Sequence, residues 1–114
     1  MIVFYGQGGL GNQLFQYAAA RRLAIKHNCQ VVLDPYWFAH PRAGETHRPY
    51  ELDKYPVTLR VANLSEQRSW KWMRVRLSKF LRLLLPLTLV REQGIGVYKP
   101  ALYASINSYL IGFW

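Results

Sequence analysis

The sequence predicts an α/β fold: a Rossmann-like parallel sheet with flanking helices. Three observations carry this. A short apolar run, Ile2 to Tyr5, meets a glycine-rich turn; a helical segment follows from Asn12; a second apolar run, Gln30 to Leu33, ends at Asp34 and Pro35. Strand, helix and strand in that order make a βαβ unit, whose crossover is right-handed and needs parallel neighbours.

Residues 2 to 5 read as a buried parallel strand, since nothing in them is polar enough to face water. The helix is predicted over 12 to 27. Leu14, Ala18 and Ile25 lie on one stripe, with Phe15 and Tyr17 beside it. Arg21, Arg22 and Lys26 fall toward its C-terminal half, where the macrodipole favours cations. Asn28 is a stop signal. Residues 35 to 56 are loop-rich, punctuated by Pro35, Pro41, Gly44, Pro49 and Pro56. Val57 to Leu59 reads as a short third strand. A further helix begins near Ser65, with Asn63 or Ser65 as its cap. Trp70, Met73, Leu77, Phe80, Leu81 and Leu84 recur along it at helical spacing until Pro86 ends it. Residues 94 to 104 fit no single element. Tyr109 to Phe113 reads as the last strand.

At 114 residues the chain fills one small domain. Just over half of it is apolar or aromatic, enough to build a core. Two Rossmann-like domains do not fit. Cys29 is the one cysteine, so an intrachain disulfide is excluded; it reads as a small, half-buried hydrophobe. His40 and His47 lack metal-ligand spacing. The N-terminus has no basic region, and its apolar run ends at Gly6, so no signal peptide is predicted. The longest greasy stretch, Leu83 to Val90, contains Pro86 and falls well short of the ~20 residues that span a bilayer. The net charge is +9. Arg68, Lys71, Arg74, Arg76, Lys79 and Arg82 form a basic run with no acid among them. Such a run suits an anionic partner. The chain shows no nucleic-acid module and no aromatic-basic RNA signature, so nucleic acid is not expected. The simpler reading packs the apolar stripe on the sheet and turns the charges to water. The alternative is peripheral attachment to an anionic membrane through residues 68 to 82.

Gly6 to Gly11 satisfies G-x-G-x-x-G between a strand and a helix, and Asp34 lies about 20 residues on, where a ribose-binding acid stands in NAD-type domains. A dinucleotide-binding domain is therefore one reading. Against it, Asn12, Gln13, Leu14, Phe15 and Gln16 follow the turn, where a dinucleotide helix wants small residues for close packing. A plain turn, or a non-catalytic binding module, is another reading of the glycines. Asn12 also reads as a helix N-cap. Asp34 also reads as a cap of the following turn. Glu51 and Asp53 read either as a base near an acceptor hydroxyl or as flanks of a structural loop.

The spelling of the loop adds to this. GGLGNQLFQYA at 8 to 18 resembles the N-terminal motif of the α-1,2-fucosyltransferases, glycosyltransferase family 11. VVLD at 31 to 34 resembles that family's second strand, RPYELDKY at 48 to 55 its "RPFELDKF" stretch, and YLIGFW at 109 to 114 the start of its "GYWQSEKYF" segment. Residues 60 to 100 match only loosely. The resemblance implies the N-terminal domain of a two-domain glycosyltransferase. It implies transfer of L-fucose from GDP-fucose to the 2-hydroxyl of a terminal galactose in a glycan, with inversion and without a metal. Gly8, Gly9, Leu10, Gly11, Asn12 and Gln13 would bind substrate, and no cofactor beyond the donor is implied. Animal members carry an N-terminal anchor; this chain opens on the first strand, as bacterial members do, which implies a cytoplasmic protein, peripheral at most at the inner membrane face. Family members are longer, and their donor motif His-x-Arg-Arg-Gly-Asp-Tyr does not occur here. The chain thus reads as an N-terminal fragment lacking the GDP-fucose-binding half, and inactive alone.

Overall fold

The computed structural model describes residues 1–75, 87–92, 104 and 106–112. Among them the chain forms a five-stranded, all-parallel sheet with helices on both faces. The strands are β1 (Ile2–Tyr5), β2 (Val31–Asp34), β3 (Arg60–Val61), β4 (Thr88–Arg91) and β5 (Ser108–Ile111), in spatial order β3-β2-β1-β5-β4. The first three follow the dinucleotide-binding order. The last two are exchanged relative to the 3-2-1-4-5 of that fold. β1 is central because it can be: all four of its side chains are buried, and it pairs β2 from Ile2↔Val31 to Tyr5↔Asp34 and β5 from Ile2↔Ser108 to Phe4↔Leu110.

Alternation along β1 divides the core. Ile2 and Phe4 join Ala20, Leu23 and Ala24 of α1 (Leu10–Lys26), with Val31, Leu33 and Leu110. Val3 and Tyr5 face the other way, with Val32, Tyr109, Trp37, Trp70 and Met73. These last three come from short helices: α2 (Tyr36–Ala39), Trp70 at the end of α3 (Leu64–Ser69), and α4 (Lys71–Arg74).

The expected βαβ unit is present. α1 starts two residues earlier than predicted, with Gly9 rather than Asn12 as its N-cap. It ends where Asn28 takes a left-handed φ of 48°. There the Cys29 N–H donates to the Ala24 carbonyl and the Asn28 N–H to the Ile25 carbonyl, the paired bonds that close a helix C-terminus. The stripe read from the sequence faces outward. Phe15, Ile25 and Leu14 are 65 %, 58 % and 37 % exposed, while Gln13, Gln16, Ala20, Leu23 and Ala24 pack inward. Cys29 is half-buried and free.

Elsewhere the structure revises the reading. The loop-rich stretch holds α2 and a 3₁₀ turn, Leu52–Lys54. β3 falls just after the predicted third strand. β4 was not anticipated: after Pro86 its residues continue the apolar stretch Leu83 to Val90, and four residues are too few for alternation to give a separate signal. The basic helix begins as expected but is interrupted at Trp70, between α3 and α4. Trp70 and Met73 of its apolar stripe are buried; Leu77, Phe80, Leu81 and Leu84, and with them Arg76, Lys79 and Arg82, lie outside the described residues. So does Phe113, the end of the predicted final strand.

Two charged junctions fix the α2–α4 layer. At the end of β2, the fully buried Asp34 carboxylate receives Arg74 through Nε at 2.9 Å and Nη2 at 2.7 Å. It also accepts the Tyr36 N–H and the Tyr109 hydroxyl. Arg74 lies 4.0 Å over the Tyr36 ring and donates to the Gln67 carbonyl. Burial, followed by the neighbouring Asp34 charge, pushes the Tyr109 phenol far above its ordinary range. Burial likewise lifts Tyr5 to about 12, against the pull of Arg42. The second junction opens α3. Asn63 and Glu66 form a reciprocal capping box, and the Arg60 guanidinium forks onto Glu66 with two bonds of 2.7 Å.

Removing one member of a buried ion pair strands the other. Arg74→Met is therefore expected to lower unfolding free energy by about 3–5 kcal/mol in urea titrations; a loss below about 1 kcal/mol would show that the junction does not hold the layer. The Arg60 fork, then the Asn63 N–H, pull Glu66 from 4.5 to about 2. Its folded value lies below its unfolded one, so the stabilisation is complete above about 4.5 and disappears as pH falls toward 2. Thermal melts across that window should show a steeper acid loss for the native chain than for Glu66→Gln; equal slopes would contradict the assignment.

Candidate active-site cleft

The cleft is built where β1 hands over to α1, at the carboxyl edge of the sheet. Its loop must leave a buried strand, turn, and enter a helix within four residues. Gly8 makes this possible: its φ is +78°, and a Cβ there would stand 2.5 Å from Asn12 Nδ2. Gly9 and Gly11 have nothing within 4 Å of a would-be Cβ, so their freedom serves the open side.

Two buried glutamines of α1 hold this loop in place. Gln16 donates to the Gln7 carbonyl and accepts the Gln7 N–H, both at 3.1 Å. Gln13 donates to the Gly8 carbonyl at 3.0 Å and the Pro49 carbonyl at 2.8 Å, and accepts the Glu51 N–H at 2.9 Å. Both side chains are at most 1 % exposed. Their bonds go to backbone, so they satisfy loop groups that no strand or helix would pair. Gln13 also pins the 49–51 segment beside the glycine loop.

The result is a cleft of about 530 Å³ lined by Gln7, Gly8, Gly9, Leu10, Gly11, Asn12, Trp37, Glu45, Thr46 and Arg48. α1 opens onto it with no side-chain cap and no acid in its first turn. Its leading N–H groups and the Arg48 guanidinium supply donors for an anionic or oxygen-rich ligand. Glu45 supplies the acceptor. Its carboxylate receives the Trp37 indole N–H at 3.0 Å, which fixes it beside an aromatic wall.

Of the predicted substrate-binding residues, Gly8, Gly9, Leu10, Gly11 and Asn12 line the cleft. Gln13 does not; its amide is committed to the backbone, so it positions the site from beneath. Asp34 lies on the α2–α4 face, engaged by Arg74, Tyr109 and the Tyr36 N–H, and is absent from the cleft lining. Glu51 pairs with Lys54 at 3.0 Å, and Asp53 stands exposed in the 3₁₀ turn. The acid at the cleft is Glu45, which the sequence reading passed over, as it did Trp37, Thr46 and Arg48. The usable signal was placement, since loops after parallel strands gather at one sheet edge. Comparison of the chain with family models, curated proteins and solved structures finds no match. Among the described residues, no group of three or more His, Cys, Asp or Glu is placed to hold a metal ion. No described helix is long and apolar enough to cross a membrane.

If Gln13 is the strut, Gln13→Met leaves two carbonyls and one N–H without partners at ~1–3 kcal/mol each when buried. Hydrogen exchange should quicken at the amides of Gly8 to Asn12 and of Glu51, with β1 and β2 still protected. Unchanged exchange at both segments would overturn the role.

Proposed function

We propose that the chain supplies one wall of the active site of a galactoside α-1,2-fucosyltransferase, which moves L-fucose from GDP-fucose to a terminal galactose. One observation supports this above the rest. The residues that carry the family resemblance, Gly8 to Asn12, line a single cleft with an uncapped helix start, a cation and an acid. Arg48, the first residue of the resembling stretch RPYELDKY, meets them there.

The reaction asks for three things of such a wall. Donors must meet the charge that develops on the departing diphosphate, a role that the α1 N–H groups and Arg48 would take in this reading. A base must take the proton of the attacking 2-hydroxyl, and the Glu45 carboxylate is the acid within the cleft. The sugar's apolar face would meet the part of Trp37 that reaches the cleft lining. In this reading the transfer is inverting, needs no metal and no cofactor beyond the donor, and the main contacts to the guanosine diphosphate come from protein outside these residues. The chain would be cytoplasmic, with its basic residues toward the inner membrane face. The glycan acceptor is then lipid-linked or freshly assembled near that surface.

Fucose transfer from labelled GDP-fucose to lactose, by the intact enzyme, is the direct test. Gly9→Val and Asn12→Ala should each cut the rate at least about tenfold, and Glu45→Gln about 100-fold or more. The circular dichroism of Asn12→Ala and Glu45→Gln should stay native. Full activity in all three would sink the assignment. Calorimetry separates the dinucleotide reading: the 114-residue chain should bind NAD not at all and GDP weakly or not at all. Micromolar NAD affinity would replace the proposal.

A further inference from the structure

A second concavity lies on the α2–α4 face of the sheet and shares no lining residue with the cleft. It is a groove of about 470 Å³ between α2 and the α3–α4 pair. Tyr36 and His40 form one wall; Leu64, Gln67, Arg68 and Lys71 form the other; the nearly buried Arg74 also lines it.

Its charge is unbalanced. Arg74 is neutralised by Asp34, and Glu66, the nearest acid in sequence, is taken by Arg60. Among the described residues neither Arg68 nor Lys71 has an acidic partner. Lys71 Nζ lies 4.8 Å from the centroid of the Trp72 ring, a contact that leaves its charge uncompensated. Two exposed cations thus face one groove, where each raises the energy of the other. An anion between them removes that repulsion. A forked guanidinium beside a point-charge ammonium matches a doubly charged tetrahedral oxyanion better than a single carboxylate.

The opposite wall is flat and apolar. His40 stacks on Tyr36 with centroids 3.9 Å apart and planes 11° from parallel, locked by its Nδ1 against the Tyr36 carbonyl at 2.9 Å. Arg74 lies over the Tyr36 ring, so three planar groups form a short stack whose free surface is the His40 ring. Leu64, in the facing wall, is 70 % exposed.

We infer that this groove binds a phosphate group, held by Arg68 and Lys71, on a ligand whose flat or apolar body lies against His40 and Leu64. Two sources present that chemistry. One is a soluble phosphate ester; the other is an anionic phospholipid headgroup, for which Trp72, 53 % exposed beside Lys71, would enter the interface. The inference does not depend on the function proposed for the cleft.

The test uses the whole chain at low salt. Phenyl phosphate is titrated by calorimetry, and vesicles of phosphatidylcholine, with and without phosphatidic acid, are sedimented with the protein. Native chain is compared with Arg68→Gln/Lys71→Gln and with Arg21→Gln/Arg22→Gln, which removes the same charge from α1. Saturable binding should fall about tenfold or more in the groove variant and stay unchanged in the α1 variant, with native circular dichroism in both. Binding of phenyl phosphate assigns a soluble ester; binding confined to phosphatidic acid vesicles assigns a headgroup. Absence of binding in both arms, or equal weakening by the two variants, would overturn the inference, since the second result would mean net charge alone.

Discussion

The Asp34 carboxylate is the point from which the rest of the α2–α4 layer is hung. Three short helices cannot hold themselves: none has more than six residues, and helices of that length do not persist in water. They persist here because Asp34 ends a central strand under them and draws in Arg74 from α4, Tyr36 N–H from α2 and Tyr109 from β5. Burying a charge is costly unless its acceptors are filled, and here they are. Arg91 completes the arrangement from the far edge by donating to the Met73 and Val75 carbonyls at the end of α4. Each element of the layer is therefore stitched to the sheet through polar contacts as well as through Trp37, Trp70 and Met73.

The cleft rests on the opposite solution. Its scaffold is α1, a helix long enough to stand by its own packing. Where that helix passes under the loop, it buries amides in place of leucines. The sheet-facing side reads glutamine, glutamine, alanine, leucine, alanine along the helix, and the polar pair falls under the loop. A wholly apolar stripe would pack as well but would leave the loop's carbonyls and N–H groups without partners. The cleft is thus shaped by residues that stand outside its lining, while Gly9 and Gly11, which line it, keep open space on one side.

This division explains what could be read from the sequence. β1, α1 and β2 were legible because Ile2 to Tyr5 and Val31 to Leu33 are continuous apolar runs around a helical stretch with a stop at Asn28. The helix face was not, because periodicity assigns apolar residues to the core and here Gln13 and Gln16 take those places. The exposed Phe15 and Ile25 carry the apolar signal outward. The glycine loop was legible as a turn at the carboxyl edge of the sheet from strand-to-helix placement alone. Asp34 was legible as a cap of the following turn, which the Tyr36 N–H bond makes it, but not as the partner of Arg74, 40 residues away. Glu45, Trp37 and Arg48 depend on how a proline-rich loop folds back, which tertiary contact decides.

The outer margin of the sheet beyond β2 has a consequence of its own. An exposed strand is a template: its unpaired amides invite a strand from another molecule, and repetition builds fibres. Here the margin is β3, only two residues long, and one of these is Arg60, whose guanidinium is drawn toward Glu66. A visiting strand would find two residues of backbone to pair with and a charged fork at the start of them. The chain therefore closes its β3 margin to polymerisation by ending the ladder before it is long enough to copy.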